Sequence, residues 1–563
     1  MATEGRSIVR ALRAGLQTVH PAAWCAALYV VLGLVTHIHL TGDAPEYAGE
    51  IYDRLRTGVP PAGFWDAGHL VWRPLGFALV YSVERVGQAA DTATLSAISH
   101  TLIVISWVAG LACALILPTW LLRLGASPQA SIFATATLLS ANAFLNYTHG
   151  GSSYVPALAC LLAGLYLLSP NHSVPGFSVL GGLSLAGAVL LWFPFILALP
   201  GALLAPWLLG MRSRDSVRSV AYATAACAVA GFGTYAAVAV HLNVISPTGF
   251  LEWFKRSSHG ITGNSGVSRA AFGLSRSFLN MGSDGAVLKR FLLHDPYNPV
   301  ASADLVSLGW KFVFFYAVLV AIAVTLWRSS WRWRLVFCLI SAVPVALFGI
   351  SWQGGDTERY FPLFPALLLA LATSISTGRA RSMGRLLPES LAVLSLLVNV
   401  PAHSRHMFAA EESAIVARVG AFDDSLLPPG SILVLPTFND RLGAYFRSGT
   451  VDRQRIRGTY GFHGLVEKGS DNTPQWREGF STRALAVWDA GGRIWLSRRV
   501  LSPIPEKDWD WVEGDDRRVS WSDLPAFFTP FELGATRGGV DGFVELLPTP
   551  RNRSRLRATL ASD

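Results

Sequence analysis

What most constrains this chain is a series of long apolar runs between residues 22 and 401. A helix needs ~20 predominantly apolar residues to cross the hydrocarbon core of a bilayer, and several runs reach or approach that length. Charged residues make up 15% of the 563, against about 25% in an ordinary soluble domain. The sequence therefore predicts a polytopic α-helical membrane protein. About eleven crossings are expected, near 22–40, 73–90, 95–117, 128–145, 153–169, 177–209, 219–243, 309–327, 333–350, 360–376 and 386–401. Glu84 and Arg85 weaken the second. The sixth is too long for one straight span, and Pro194, Pro200 and Pro206 would kink it or split it into a pair.

Positive charge sets the orientation. Arg6, Arg10 and Arg13 precede the first apolar run, which is too long for a signal sequence and has no small-residue cleavage site, so it reads as an uncleaved first crossing. With the N-terminus cytoplasmic, the clusters 212–218, 328–334 and 379–385 all fall inside. That pattern favours one kinked passage over 177–209. Much of the net charge of +9 is used in these short clusters, so it is not a nucleic-acid signal. Cys25, Cys113, Cys160, Cys227 and Cys338 all lie in apolar runs and offer neither a disulfide framework nor a cysteine metal site.

The polar chemistry then gathers on the outer face. It comprises the loops 41–72, 244–308 and 351–359 and everything after about 402. Residues 1–401 form the expected membrane domain and 402–563 a soluble C-terminal α/β domain. A buried strand is predicted over Ser431–Pro436, a helix over Thr482–Ala490 ended by Gly491 and Gly492, and a strand over Arg493–Arg499.

In the first outer loop Asp43, Glu46, Glu50 and Asp53 follow at spacings of three, four and three, which puts them on one face of a helix. Gly42 and Pro45 suit a helix start. Asp43, nearest the membrane end, is placed to deprotonate a hydroxyl acceptor. Glu50 and Asp53 read as the solvated face of the same helix. Further on, His69 and Arg73 are four apart, and an arginine fork suits a phosphate or a carboxylate. The 244–308 loop carries two amphipathic pieces, around 252–256 and 289–296, flanking a Gly/Ser-rich stretch suited to gating. His294 and Asp295 could hold a divalent metal together with the first-loop acids, although no full ligand set is legible. Arg359, beside Tyr360 at the start of a late helix, can hold a lipid-linked phosphate. Paired with Tyr360, Arg359 also fits an interfacial anchor.

Together Gly42-Asp43-Ala44-Pro45-Glu46-Tyr47, the long loop 244–308 and Glu358-Arg359-Tyr360-Phe361-Pro362-Leu363-Phe364-Pro365 make the chain resemble the GT-C class of membrane glycosyltransferases. That class includes the protein O-mannosyltransferases and the lipid A aminoarabinose transferase. The resemblance covers roughly residues 20–400. It implies transfer of a sugar, with inversion, from a polyprenyl-phosphate donor to a glycan, lipid or protein hydroxyl outside a bacterial inner membrane. The C-terminal domain would be periplasmic or extracellular. Asp43 matches the class's base, Glu46 a helper, and Arg359 the arginine at the donor phosphate. Arg73 and Lys289 are further phosphate candidates, and His69, Tyr47, His294 and Tyr360 are candidates for substrate contact. The first loop departs from the Asp-Glu doublet of the O-mannosyltransferases, because Ala44 follows Asp43. Two rivals remain. An O-antigen-type polymerase or ligase would use 244–308, whereas a transporter or flippase would place charges mid-membrane, where Glu84 is the only acid well inside a span.

Overall fold

The computed structural model describes residues 20–37, 44–61, 63–86, 95–169, 175–210, 213–257, 266–281, 291, 302, 305, 309–329, 331–378, 382–404, 431–435, 456–461, 476–501, 523–537 and 542–561. In chain order the helices of the first part are α1 (Pro21–Val35), α2 (Ala44–Thr57), α3 (Trp72–Val86), α4 (Leu95–Arg123), α5 (Pro128–Leu139), α6 (Asn142–Thr148) and α7 (Tyr154–Leu167). Then follow α8 (Pro175–Leu191), α9 (Leu199–Leu208), α10 (Arg214–His241), α11 (Pro247–Ser257), α12 (Val267–Phe278), α13 (Trp310–Arg328), α14 (Arg332–Ser351), α15 (Phe364–Thr377) and α16 (Met383–Ala402). Six helical stretches are long and apolar enough to cross a membrane: 97–123, 214–241, 310–328, 332–351, 357–377 and 383–402. Four shorter apolar helices, 21–35, 154–167, 175–191 and 193–208, pack among them. The chain is a multi-pass membrane protein.

Pairwise contacts fix which helix ends lie together. At one end, Thr36 after α1 meets His149 and bridges to Ser404, and Tyr147 meets Glu358. At the other, the Ser376 hydroxyl accepts from the Ser127 N–H, Arg385 reaches Gln129, Trp207 packs on Trp333, and Arg334 donates to the Leu124 carbonyl. We call the first the polar end and the second the basic end, since Arg123, Arg214, Arg218, Arg328, Arg332 and Arg385 all lie at or near it.

Among the described residues the course of the chain between these ends differs from the one that the apolar runs delimit. Within the expected crossing 73–90, the described helix α3 does not run from one end to the other. Gly76 of α3 packs on Ile51 of α2 and on Leu102 near the start of α4, so α4 begins at the polar end from which α3 leaves. α3 exposes Leu75, Leu79, Tyr81 and Val83 along one side and buries Trp72, Arg73 and Val80, the pattern of a helix lying at an interface. The segment 177–209, expected as one kinked passage, is two. Ser178 bonds Ser219 and Gly182 lies against Ala223, while Phe193 meets Tyr235, so α8 and α10 run parallel. The chain must therefore return between them. Trp192 ends α8 in extended backbone (φ −152°), and the 3-10 turn Phe193–Ala198, opened by Pro194, starts the way back into α9. A Cβ at Gly182 would collide with the Ala223 carbonyl, so this close parallel pairing needs glycine there.

These two differences cancel after residue 213, and the basic clusters at 213–218 and 328–334 share one end as expected. Between residues 95 and 169 they do not cancel, and every passage there runs opposite to the expected direction. Arg123 therefore lies at the basic end, over Tyr166, and residues 147–154 lie at the polar end.

The later residues build a second core. Five strands, β1 (Ser431–Leu435), β2 (Ile456–Gly461), β3 (Ile494–Ser497), β4 (Leu533–Arg537) and β5 (Phe543–Leu546), form one sheet in the order β2-β1-β3-β5-β4. The first three are parallel, and β5 is antiparallel to β3 and β4. Helices α17 (Trp476–Asp489) and α18 (Pro550–Ala561) complete an α/β unit whose core holds Ile432, Val434, Phe480, Trp488, Ile494 and Leu556. The expected strands at 431–436 and 493–499 and the helix at 482–490 overlap observed elements, but the second strand stops at Ser497, where a helical turn Arg498–Leu501 begins, and the helix starts earlier, at Trp476.

Single cysteines at Gln129 and Arg214, in a background without the native five, should be labelled by a membrane-impermeant maleimide from the same side of sealed vesicles. One at Val59 should react from the other side. Opposite-side labelling of Gln129→Cys and Arg214→Cys would overturn the two-passage reading of 175–208.

Candidate functional site

Two buried arginines organise the polar end. Arg73, at the start of α3, is 4% exposed. It pairs with Glu50 of α2 and, at 3.2 Å, with Asp66, and its guanidinium lies 4.5 Å from the centre of the Tyr47 ring. Asp66 also accepts from the Gly68 N–H at 2.8 Å and so caps the 3-10 turn Ala67–His69. Burial holds the Glu50 carboxyl above its ordinary pKa, with Arg73 pulling the other way. Burial also works against the Arg73 charge, but Tyr47, Glu50 and Asp66 outweigh it and leave that pKa raised. Glu50 is therefore not part of a solvated acidic face, as its spacing suggests. It is a structural partner of Arg73, while Glu46 stays exposed and Asp53 is partly buried.

Arg359 lies in the 3-10 turn Thr357–Leu363 between α14 and α15 and is 9% exposed. Its Nη2 donates to Gln353 Oε1 at 2.5 Å and is 3.5 Å from Asp356. Trp352 stacks on it at 4.1 Å, and the Trp192 ring is 5.9 Å away. Gln353 holds φ at 43°, a left-handed conformation that costs a non-glycine residue about a kcal/mol or more. Arg359 Nε has no hydrogen-bond acceptor, and Glu358 Oε1 stands 3.8 Å from it. Glu358 Oε2 instead accepts from the Tyr147 hydroxyl at 2.6 Å.

A continuous run of rings joins the two arginines. Tyr47 packs on His69 at 5.4 Å, His69 on Tyr154 at 5.6 Å, and Tyr154 on both Tyr147 (4.8 Å) and Trp192 (4.7 Å). His69 Nδ1 is also 2.7 Å from the Ser153 hydroxyl. The first polar loop and the late Arg359 turn therefore border one site, although nearly three hundred residues separate them. The contacts that bring them together come from 147–154 and Trp192, which sequence reasoning passed over. A signal existed in Asn146-Tyr147-Thr148-His149-Gly150-Gly151-Ser152-Ser153-Tyr154, a polar island between two apolar runs. The inverted middle passages assigned it to the wrong face.

Of the expected site residues, Tyr47, His69, Arg73 and Arg359 meet here. Tyr360 is buried beneath it, and its hydroxyl proton is shared between the carbonyls of Ala270 (2.8 Å) and Gly354 (2.7 Å), so it ties α12 to the 352–356 turn rather than anchoring an interface. Asp43, Lys289, His294 and Asp295 lie outside the described residues. Among the described residues no three His, Cys, Asp or Glu side chains converge as a metal site would need.

Neither the scan against protein-family models nor the search of curated proteins gives a match. The fold is similar to two solved GT-C glycosyltransferases. One is ArnT from Cupriavidus metallidurans bound to undecaprenyl phosphate, at 12% identity over 94% of this chain and 98% of that one, with a TM-score of 0.48. The other is the Archaeoglobus fulgidus oligosaccharyltransferase in its apo form, at 12% identity over 85% of this chain and 69% of that one, with a TM-score of 0.41.

Arg73→Met would strand two partly buried carboxylates. Breaking a buried pair from one side costs about 3–5 kcal/mol. The variant should melt markedly lower in detergent, and adding Glu50→Gln should restore part of the loss. A single variant that melts like the parent would mean that these acids are freely hydrated.

Proposed function

We propose that this chain is an inverting glycosyltransferase that moves a sugar from a polyprenyl-phosphate donor to a hydroxyl acceptor on the outer face of a bacterial cell membrane. The observation that carries the reading is the unpartnered Nε–H of Arg359, a buried cationic donor at the polar end of a membrane bundle. A buried polar hydrogen without an acceptor is costly. A phosphate oxygen would satisfy it, and a guanidinium presents a planar fork suited to that oxygen. The lipid tail of such a donor lies in the bilayer, so its phosphate must be met at the depth where a bundle end meets the interface. Arg359 on the turn leading into α15 is placed for that.

In this reading Asp43 is the base. It immediately precedes α2, the helix whose Tyr47 joins the ring chain leading to Arg359. The Asp43 carboxylate takes the proton of the acceptor hydroxyl. The hydroxyl oxygen attacks the anomeric carbon from the side opposite the phosphate, which leaves with the bonding electron pair. Arg359 stabilises the charge that builds on the leaving phosphate. Glu46, exposed one turn into α2, orients the acceptor. His69 and Tyr47 shape the wall between donor and acceptor, with Lys289 the further candidate for the donor phosphate and His294 for the substrate. Arginines at the opposite end support a cytoplasmic basic end and an outer polar end. The α/β unit after residue 402 then lies outside and holds part of a glycan or lipid acceptor.

The purified protein should consume polyprenyl-phosphate sugars. Asp43→Asn should lower turnover by about 10²–10⁴-fold, the range of a general base. Arg359→Gln should raise the donor KM. Full turnover in the Asp43 variant would remove Asp43 as the base.

A further inference from the structure

Arg359 has a problem that the donor reading does not solve. Two carboxylates, Asp356 and Glu358, flank it, and together they would cancel its charge and repel an incoming phosphate. Yet Glu358 does not close on it. One oxygen of Glu358 is held by the Tyr147 hydroxyl at 2.6 Å, and the other stays 3.8 Å from Arg359 Nε, beyond hydrogen-bonding distance. The Nε–H is left without an acceptor in a buried place.

Geometry explains what maintains the gap. Tyr147 belongs to α6, and its ring is wedged edge-on between Tyr154 (4.8 Å) and Phe361 (5.9 Å). Those contacts fix where the phenol oxygen can be. The hydrogen bond from it is charge-assisted, because a carboxylate accepts it, and such bonds are about twice as strong as neutral ones. Glu358 is 7% exposed, so water cannot substitute freely for either partner.

We propose that Tyr147 is a positioning residue for the donor phosphate: by holding Glu358 away from Arg359, it keeps the arginine Nε–H open to a phosphate oxygen. The inference rests on Arg359 as the phosphate contact. When the phosphate binds, its oxygen takes the Nε–H and Glu358 stays on Tyr147. When Tyr147 cannot donate, Glu358 swings to Arg359 and competes with the phosphate as an internal anion.

The test measures binding of undecaprenyl phosphate to the full chain in detergent, followed by tryptophan fluorescence, since Trp192 and Trp352 lie beside Arg359. Tyr147→Phe should weaken binding about tenfold, the scale of one hydrogen bond to a charged group. Glu358→Gln should bind at least as tightly as the parent, because the competing charge is gone. The double variant should bind like Glu358→Gln alone, which loss of packing at Tyr147 would not produce. Double-variant binding as weak as that of Tyr147→Phe would overturn the proposal and leave Tyr147 as a direct contact or a packing residue. Arg359→Gln separates the two levels of inference. If it leaves binding unchanged, the phosphate contact and the role of Tyr147 both fall. If it abolishes binding while Tyr147→Phe has no effect, only the role of Tyr147 falls. Melting temperatures of all four variants, kept within a few degrees of the parent, identify any loss due to unfolding. Should Tyr147→Phe fail to fold, Glu358→Gln against the parent carries the comparison, and weaker binding by Glu358→Gln than by the parent overturns the proposal.

Discussion

Burying a guanidinium in an apolar bundle costs several kcal/mol unless carboxylates and ring faces are buried with it. Arg73 and Arg359 are both buried at the polar end, and most of what surrounds them follows from that cost. Arg73 draws in Glu50, Asp66 and Tyr47, and in doing so it fastens α2, the turn at 66–69 and the start of α3 into one piece. Arg359 draws in Gln353, Asp356, Trp352 and Trp192, which fastens the α14–α15 turn to the end of α8.

The same end carries the irregular backbone. The 3-10 turns Ala67–His69, Phe193–Ala198 and Thr357–Leu363 all lie there, as does the break between α5 and α6. Irregular backbone at membrane depth survives only where protein or water satisfies the freed groups. Here neighbouring chain does so. The Val71 N–H donates to Leu190 O, the Ser277 hydroxyl to Thr357 O, and the Asn399 amide to the carbonyls of Ser140 and Phe278, while Asn399 Oδ1 accepts from the Asn280 N–H. One asparagine thus joins three segments. At the basic end α4 turns into α5 within 124–127, and the contacts there are largely between regular helices.

The apolar runs made the helical membrane class legible, yet two local readings failed for physical reasons. α3 is apolar enough to resemble a weak span, but its apolar residues sit on one side, and hydropathy averaged over a window cannot distinguish a helix in the interface from one that crosses. The run 177–209 is uninterrupted in composition because its reversal at Trp192–Pro194 is itself apolar and buried among rings, so no polar loop marks it. Charge spacing likewise placed Glu50 on a wet face, because a helix pattern does not show that Arg73, twenty-three residues later, will fold back onto it. The β1 and β3 strands were readable because each is a short apolar run between turn-forming residues, while the pairing order of the sheet depends on contacts far apart in sequence.

Arg73 and Arg359 have the same chemistry in the sequence, and either suits a phosphate. Their surroundings separate them. Arg73 has two carboxylates on its nitrogens and a ring on its face, which leaves an anion little to gain there. Arg359 is held by rings and an amide, its two acids stand at 3.5 and 3.8 Å, and one buried N–H is open. A cation with carboxylates in direct contact builds structure, whereas one whose acids stand off keeps binding capacity that a ligand can use. That difference is why the proposed phosphate contact falls to Arg359, while Arg73 braces α2 against the turn at 66–69 and the start of α3.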